Sequence, residues 1–460
     1  MYQNPRRGKD ARVCVIGAGP SGITAVKHLL QVGIRDIVCY DLNDQVGGNW
    51  IYSEDITHSS VYETSHIISS KTWSQYHDFP MPEDYPDYPG HEHLLRYFQA
   101  YADHFGVTPY VQFHTKVEEA VQQDDLRWQL TLDSGETELF DFLVVASGHH
   151  WNPRYPDFDG EFEGEYLHSH YYRTNIPFKD KRVLVVGAGN SACDIVVDVA
   201  RHASFTSLSW RRGYWVIPKH MLGGQPPDII NAKIRWLPDF LIKRIHALTI
   251  KLMVGSMESY GLPKPDHHPT ESHPILNTKL LYHLRHGDIH PRGNISRFDG
   301  KTVIFEDGTS EDYDVVIVGT GYKISFPFLP GPTFDYSEGD VDLYLKMVHP
   351  QYSNLAIVGL TQPQGCIWPL SDTQARLYAN YIVGNYDFPK NMPQLIDKEI
   401  KETNKKYLNT PRHNTEVDFH DFLGKLRKQL PRSAPKWGDL TDDISPVTPI
   451  SSDDGLIQTP

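Results

Sequence analysis

The sequence predicts an α/β protein with two Rossmann-like dinucleotide-binding domains, the second inserted into a discontinuous first domain. A glycine-rich turn occurs twice, as G-x-G-x-x-G at 17–22 and as G-x-G-x-x-A at 187–192, each between an apolar strand and a helical pattern. Two further apolar strands, at 140–149 and 314–322, end in small residues, as strands do when their carboxyl ends face a cofactor. Two such strands allow the chain to leave one nucleotide-binding domain and return to it.

The first turn follows an apolar run, residues 13–16, of the kind that forms a buried parallel strand. Its first glycine permits the tight turn, its second lets the backbone approach a pyrophosphate, and its third allows close packing of helix on strand. The free N–H groups of the helix that follows suit phosphates. The residues expected to contact the dinucleotide are Gly17, Gly19, Pro20, Ser21 and Gly22.

A second predicted strand ends in Asp41, nineteen residues after Gly22, where a carboxylate that binds ribose is expected. The alternative interpretation of this stretch is a purely structural strand–turn–helix without a ligand. The carboxylate at this spacing favours the dinucleotide site.

The second turn has Ala192 in place of the third glycine, which the pattern allows because only a small residue is needed there. Arg211 and Arg212 end its second strand, where the first unit has Asp41. An arginine pair suits a 2′-phosphate, whereas a carboxylate suits a free 2′-hydroxyl. The first site is therefore predicted to hold FAD and the second NADPH, although a solvated basic turn is the alternative for the arginines. The NADPH residues of the turn are Gly187, Gly189, Asn190, Ser191 and Ala192.

Composition excludes several other classes of function. The 460 residues carry a formal net charge of −14, and no basic patch argues for nucleic acid. The four cysteines form no CxxC pair and are typical of a reduced cytoplasmic protein. The N-terminus has no apolar segment of a signal peptide, and the 24 histidines show no metal-ligand spacing, so no metal is expected.

The chain order predicts four segments. Residues 1–165 form the first part of the FAD-binding domain, 166–320 the NADPH-binding domain, 321–435 the second part of the FAD-binding domain, and 436–460 a flexible tail. The NADPH domain contains a helical insertion at about 213–276. Charged residues interrupt its helical run at 235–257, which excludes a membrane span. We expect an amphipathic cover over the active site, with a membrane-surface contact as the alternative.

Together the motifs resemble those of the flavin-containing monooxygenases, which are class B flavoprotein monooxygenases, over about residues 10–430. The most telling match is F-x-G-x-x-x-H-x-x-x-Y-R between the two turns, formed by Phe162, Gly164, His168, Tyr172 and Arg173. The sequence GGNW at 47–50, GTGY at 319–322 and GLTQP at 359–363 also match in order.

The resemblance implies that NADPH reduces FAD and that O₂ then forms a C4a-hydroperoxyflavin, which oxygenates a soft N or S atom of a small amine or sulfide, or a ketone. Flavin and O₂ carry the hard steps, so the protein has to orient them and exclude water. The resemblance adds FAD contacts at Gly48, Asn49, Trp50, Val117 and Gln362. It adds NADPH contacts at Thr320 and Gly321. It also suggests a soluble bacterial-type member, and a homodimer is one assembly consistent with it.

One position departs from the family pattern. Many members have an asparagine next to the flavin where this sequence has Ile68. Isoleucine offers no hydrogen bond, so His66, Ser69, Ser70 or the amide of bound NADP⁺ must substitute, or the peroxide leaks. The alternatives for the whole chain are a Baeyer–Villiger monooxygenase or a weakly coupled NADPH oxidase. A non-enzymatic flavin-fold binding protein is disfavoured, because a pure binder needs no NADPH site.

Overall fold

The computed structural model describes residues 5–55, 58–273, 275–339, 341–407 and 415–435. The tail predicted at 436–460 lies outside the described residues. The strands of the larger sheets are β1 (Val13–Ile16), β2 (Ile37–Tyr40), β3 (Val111–Gln112), β4 (Val117–Gln122), β5 (Trp128–Leu132), β6 (Thr137–Phe140), β7 (Phe142–Val145), β8 (Glu165–His168), β9 (Arg182–Val186), β10 (Phe205–Ser209), β13 (His290–Arg292), β14 (Ile295–Asp299), β15 (Thr302–Phe305), β16 (Ser310–Asp312), β17 (Val315–Val318) and β20 (Leu355–Ile357). Three short pairs are formed by β11 (Val216–Ile217) with β12 (Ile275–Leu276), β18 (Ile324–Ser325) with β19 (Asp335–Tyr336), and β21 (Gln362–Pro363) with β22 (Glu416–Val417).

The helices of the described residues alternate with these strands and vary in length from one turn to four. They are α1 (Pro20–Gln31), α2 (Lys71–Ser74), α3 (His91–His104), α4 (Asn190–Val199), α5 (Pro227–Ile234), α6 (Asp239–Met253), α7 (Thr278–His286), α8 (Trp368–Ile382), α9 (Met392–Lys406) and α10 (Phe419–Gln429).

Two five-stranded parallel sheets organise the fold. The outer sheet has the order β20-β7-β1-β2-β3, and the inner sheet has the order β13-β10-β9-β17-β8. The strand before each glycine turn, β1 or β9, is central in its sheet, and its neighbours correspond one to one. The sheets differ in the chain position of one edge strand. In the inner sheet this strand is β8, which pairs with β17 and precedes the glycine turn, whereas in the outer sheet it is β20, which pairs with β7 and follows the whole inner sheet.

This connectivity confirms an α/β fold in which one Rossmann-like domain is inserted into another. The chain leaves the outer sheet after Val145, builds the inner sheet between Glu165 and Val318, and returns to the outer sheet at Leu355. The domain boundaries at 165/166 and 320/321 remain predictions close to these transitions.

Each parallel sheet lies between a layer of helices and a three-stranded antiparallel sheet. In the central strand β1, Val13 and Val15 belong to the core cluster that contains the helices, whereas Cys14 and Ile16 belong to the cluster that contains β4–β6. The inner domain repeats this division with α4 and α7 on one face and β14–β16 on the other. Buried apolar residues on both faces are expected of a parallel sheet, and they explain why the strands read as continuous apolar runs.

A buried group of charges joins the helix of the first turn to the rest of the outer domain. The Lys27 ammonium on α1 lies 2.5 Å from an Asp78 oxygen and 3.7 Å from Asp372 on α8. His28 contributes a further hydrogen bond to Asp372, at 2.8 Å. These side chains are at most 3% exposed, so their mutual pairing is what makes their burial tolerable.

The helical run predicted at 235–257 is observed as the shorter helix α6, Asp239–Met253, with Pro238 at its N-cap. Large apolar side chains of this region face solvent, with Phe240 62% and Leu252 76% exposed. The cover over the active site and the membrane-surface contact both stay predictions. Among the described residues, no helix has the length and apolar character needed to cross a membrane.

Candidate dinucleotide sites

The glycines of the first turn are required by close backbone contacts. Gly17 has a φ of +103°, and a Cβ there would lie 2.6 Å from the Ala146 carbonyl oxygen at the end of β7. A Cβ on Gly22 would overlap the Gly17 carbonyl. Any larger residue would push α1 away from β1, so these positions keep the helix N-terminus at the carboxyl edge of the sheet.

The N-terminus of α1 is open to an anion. Gly19 is its N-cap and makes no side-chain capping bond, and Pro20 occupies the first helical position. Amide groups in the first turn of the helix therefore have no side-chain acceptor, and the helix dipole adds positive potential. A pyrophosphate fits this donor set.

Asp41 is held beside this turn, as the ribose prediction requires. It is 7% exposed, and its Oδ2 accepts a hydrogen bond of 2.5 Å from the Ala18 amide. Its Oδ1 accepts from the amide and side chain of Asn43, at 2.7 and 2.8 Å. These bonds orient the carboxylate at the end of β2, and its remaining lone pairs suit ribose hydroxyls.

The GGNW segment adjoins the first turn in space. Gly48 has a φ of +55°, and a Cβ there would lie 2.7 Å from the Gly19 Cα. Asn49 accepts hydrogen bonds from the amide and hydroxyl of Ser60, at 2.8 and 2.9 Å. The Trp50 ring packs edge-on against Trp368, with centroids 5.7 Å apart. Gly48 is thus placed to line a cofactor, whereas the Asn49 side chain and Trp50 are engaged by the protein.

Two other residues predicted to contact FAD lie farther along the chain. Val117 is buried at the start of β4, two residues after Thr115, whose amide donates to the Asp41 carbonyl at 2.9 Å. Gln362 begins β21, three residues after Gly359, at which a Cβ would overlap the Ser21 hydroxyl. Both segments therefore pass beside the first turn.

The second turn repeats this geometry, but the glycine and the alanine at the contact between helix and strand change places. In the first unit, the helix contributes Gly22 and the residue after the neighbouring strand is Ala146. In the second unit, the helix contributes Ala192 and the exit contributes Gly319, where a Cβ would lie 2.8 Å from the Ala192 Cβ. One methyl group fills each contact, so Ala192 is accommodated because the facing residue is glycine.

This exchange predicts a compensating pair of substitutions. Gly319→Ala should destabilise the inner domain by about 1–3 kcal/mol, because the second methyl overpacks the contact. Ala192→Gly in the same chain should recover part of this loss, less the cost of about 1 kcal/mol for glycine in a helix. Chemical unfolding of the four proteins of the double-mutant cycle measures the coupling. Simple additivity of the two single changes would contradict the assignment.

The start of α4 is also uncapped by a side chain, with Gly189 at the N-cap and Ser191 exposed. Asn190 accepts a hydrogen bond of 2.9 Å from the Leu276 amide. At the exit of β17, the Thr320 hydroxyl donates to the Arg154 carbonyl at 2.5 Å, and the Gly321 carbonyl accepts from the Arg154 amide. The helix N-terminus fits a pyrophosphate, while the side chains of Asn190 and Thr320 already have protein partners.

The predicted arginine pair separates into two different environments. Arg212 forms an ion pair of 3.0 Å with Asp266, whose pKa falls to about 2 through hydrogen bonds from His267 and Arg212. Arg211 is exposed, and no hydrogen bond or ion pair joins it to another described residue. Arg211 is therefore the member of the pair with no protein partner among the described residues, and Asp266 is a neighbour that the sequence did not reveal.

The F-x-G-x-x-x-H-x-x-x-Y-R residues connect the two domains. Phe162 packs against Phe298 of the inner antiparallel sheet, and a Cβ on Gly164 would lie 2.6 Å from the Asp314 carbonyl. His168 ends β8 with no exposed surface, and burial lowers its pKa to about 4. These residues fix the entry of the chain into the inner sheet.

The last two residues of the motif link the inner domain to the outer domain. The Tyr172 hydroxyl donates to Asp198 on α4 at 2.7 Å, and burial raises its pKa. The Arg173 guanidinium donates to the Ser59 carbonyl at 2.9 Å, and the Glu63 amide donates to the Arg173 carbonyl at 2.8 Å. The motif therefore links α4 to the segment that follows GGNW.

Around Ile68, the side chains of Ser69 and His66 are already bonded, whereas the buried Ser70 hydroxyl has no hydrogen-bond partner among the described residues. Ile68 is half-buried, and the Ser69 hydroxyl lies 2.8 Å from that of Ser74. His66 contacts the Thr64 carbonyl through Nδ1 at 2.9 Å and the Lys219 ammonium through Nε2. Sequence reasoning missed Lys219, because a single lysine after a short strand matches no motif. In the described ranges, no group of three or more His, Cys, Asp or Glu side chains is arranged to hold a metal ion.

Comparison with known proteins agrees with this geometry. A family model described as flavin-binding monooxygenase-like matches residues 10–435. Flavin-containing monooxygenase 5 of Rattus norvegicus is 34% identical over 440 residues, covering 90% of this chain and 82% of the relative. Dimethylaniline monooxygenase [N-oxide-forming] 2 of the same species is 32% identical over 456 residues, covering 94% and 82%.

Solved structures share the fold. S-allyl-L-cysteine S-oxygenase from Allium sativum superimposes with a TM-score of 0.69 at 23% identity, covering 92% of this chain and 88% of that chain. NADP⁺-bound cyclohexanone monooxygenase from Rhodococcus sp. Phi1 gives 0.68 at 17% identity, covering 92% and 97%. The chain therefore belongs to the flavin-binding monooxygenase-like family and is a monooxygenase with FAD and NADPH as its cofactors.

Proposed function

We propose that this enzyme uses NADPH and O₂ to oxygenate soft nucleophilic N or S atoms of small molecules. The observation that carries the proposal is the presence of two intact dinucleotide turns whose flanking segments touch, since Tyr172 and Arg173 tie α4 to the segment after GGNW. An enzyme that passes electrons from one dinucleotide to another needs both sites close together. The names of relatives support N- and S-oxygenation, since one forms N-oxides and a protein of the same fold is an S-oxygenase.

FAD, when bound, supplies the activation of O₂. Asp41 and the open N-terminus of α1 bind and orient FAD in this proposal. The N-terminus of α4 and Arg211 bind NADPH. Ile68 contributes an apolar surface that excludes water, and no acid–base pair is required of the protein.

The test is an absorbance spectrum of the purified protein, followed after addition of NADPH in air with N,N-dimethylaniline, an allyl sulfide or cyclohexanone. We expect a yellow protein that oxidises NADPH and forms N-oxide or sulfoxide. A folded, colourless protein that cannot be reconstituted with FAD would overturn the proposal. Lactone as the main product would replace it with Baeyer–Villiger oxidation.

A second candidate function is a weakly coupled NADPH oxidase, which the residues around position 68 favour. Ile68 has no hydrogen-bonding group, and the neighbouring Ser69 and His66 side chains are engaged elsewhere. Among the candidates on this loop, this leaves the Ser70 hydroxyl as the group without a partner among the described residues. In this case much of the NADPH consumed would yield H₂O₂ even with substrate present.

The two candidates are separated by Ile68→Asn. A side-chain amide adds a hydrogen bond worth about 1.5–3 kcal/mol to a charged or strongly polar partner, so H₂O₂ formed per NADPH consumed should fall by roughly tenfold or more. The measurement compares wild type, Ile68→Asn and the control Ile68→Leu at saturating substrate. Tight coupling in the wild type, or equal ratios in all three proteins, would show that another donor already acts.

A cytoplasmic location also belongs to the proposal. All four cysteines are free and buried among the described residues, which supports a reducing compartment.

A further inference from the structure

A cluster of charged and polar side chains joins α4, which follows the second glycine turn, to the loop at 62–70 of the outer domain. Lys219 follows β11 in the insertion, and its ammonium contacts the Nε2 of His66. Asp194 lies on α4, four residues after the first residue of that helix. It accepts hydrogen bonds from the Tyr62 hydroxyl at 3.3 Å and from the Asn277 amide at 2.6 Å.

The contacts fix the tautomer of His66. The Thr64 carbonyl, 2.9 Å from Nδ1, can only accept, so Nδ1 carries the proton. Nε2 is then the acceptor, which matches an ammonium donor. Both ring nitrogens of His66 therefore have a partner. In the contact between His66 and Lys219, only the Lys219 ammonium has further N–H groups that can donate.

Residues of the helical insertion at 213–276 make further contacts with the outer domain. Asp228 on α5 accepts a hydrogen bond of 2.7 Å from the Ser70 amide. The Tyr88 hydroxyl donates to the Lys219 carbonyl at 2.6 Å. Segment 219–228 therefore fastens the 62–70 loop of the outer domain, which contains Ile68, to the inner domain.

We propose that Lys219 is a positioning residue for oxygenation, which holds His66 and the 62–70 loop against α4 and so closes the junction between the flavin and nicotinamide sites. This inference rests on the proposed function. A closed junction keeps water from the reacting atoms, which Ile68 shields but cannot hydrogen-bond. Loss of Lys219 should therefore release more H₂O₂ rather than abolish binding of FAD.

The charges that face His66 give the cluster a pH dependence. Burial, then the charge of Lys219, lowers the pKa of His66, with Lys279 in the same direction and Asp194 opposing. Burial also lowers the pKa of Lys219. Protonation of Nε2 would remove the acceptor and place two cations in contact. Because the folded pKa is depressed, this occurs only below the ordinary histidine range near pH 6.5.

The test uses the FAD-bound enzyme with Lys219→Met, and with Lys279→Met as the matched control, since Lys279 is exposed and also a cation near His66. We expect H₂O₂ formed per product to rise by roughly tenfold in Lys219→Met, with little change in Lys279→Met. Lys219→Arg retains donors and should restore much of the coupling. The NADP⁺ dissociation constant, measured by calorimetry, should rise only in Lys219→Met.

The pH profile separates positioning from a general loss of structure. Wild type should release a growing fraction of H₂O₂ as pH falls below the pKa of His66, measured by NMR of ¹³C-labelled histidine. Lys219→Met should release a high fraction of H₂O₂ that does not increase further as pH falls. Coupling and pH profile equal to wild type in Lys219→Met would overturn the inference. If Lys219→Met does not fold, the same profile is measured for His66→Gln. An increase in H₂O₂ release at low pH that equals the wild type's would then overturn the inference. A wild-type enzyme that forms no oxygenated product would instead refute the proposed function.

Discussion

Replacing Lys27 by methionine is expected to lower the unfolding temperature of the enzyme by roughly 5–9 °C. Lys27 is the ammonium shared by Asp78 and Asp372, and all three side chains are almost fully buried. Removal of one partner from a buried ion pair costs about 3–5 kcal/mol, because the remaining charges keep their desolvation penalty. With an unfolding entropy of about 2.1 cal/mol/K per residue, each 1 kcal/mol corresponds to about 1.7 °C in an outer domain of about 280 residues. Thermal unfolding followed by circular dichroism measures the effect.

The pH dependence of this loss has a defined sign. Burial raises the pKa of Asp372, but Lys27 and His28 outweigh it, so the pKa lies below its ordinary value. In the wild type, this carboxylate contributes stability above the unfolded pKa, and the contribution disappears as pH falls through the folded pKa. Without Lys27, burial dominates and the folded pKa rises. The difference between variant and wild type should therefore shrink as pH is lowered toward about 4.

The control for Lys27→Met is Lys398→Met. Lys398 pairs with Glu402 on the surface of α9, at 3.8 Å and 72% exposed, and such pairs contribute about 0–1 kcal/mol. An equal loss of stability in both variants would show that net charge, not the buried cluster, is responsible.

Replacing Arg211 by alanine is expected to raise the KM for NADPH far more than the KM for NADH. A charge-assisted contact of about 1.5–3 kcal/mol acts only on the 2′-phosphate, which corresponds to roughly 10- to 150-fold. Arg212 already forms an ion pair with Asp266, so Arg211 is the arginine that we expect to contact the phosphate. Steady-state kinetics with both coenzymes measure the ratio.

Arg212→Ala is the matched comparison for Arg211→Ala. Because Arg212 is already paired with Asp266, its loss should change the ratio of the two KM values less. Equal effects of Arg211→Ala on NADPH and NADH would show that Arg211 does not contact the phosphate. Arg212 would then be the candidate.

The sequence predicted the parts of the fold that follow from local chemistry. The position of Asp41 at the end of β2 follows from the length of a strand–turn–helix–strand unit, and the structure places its carboxylate on the Ala18 amide. The return of the chain to the outer sheet was predicted from the matching exits at Ala146 and Gly319. These features depend on residues close to one another in sequence or on repeated patterns.

Features that depend on tertiary contacts were not predicted. Asp266 pairs with Arg212 across 54 positions of sequence, and Lys219 meets His66 across 153. Neither contact has a local signature, since lone charged residues are common on surfaces. The sequence also did not predict that Phe240 and Leu252 of α6 face solvent, because helical periodicity identifies an apolar side of a helix but not what lies opposite it.

The late position of β20 has a consequence for synthesis of the chain. The inner sheet can be completed once Val318 has emerged from the ribosome, because no strand of the outer sheet interrupts β8 to β17. The outer sheet is completed only after β20, Leu355–Ile357, has emerged. Until then β7 has an unpaired edge, the kind of surface that promotes aggregation. The inserted domain therefore matures before the domain that surrounds it. A nascent chain stalled between these two points would display the free edge of β7 to chaperones.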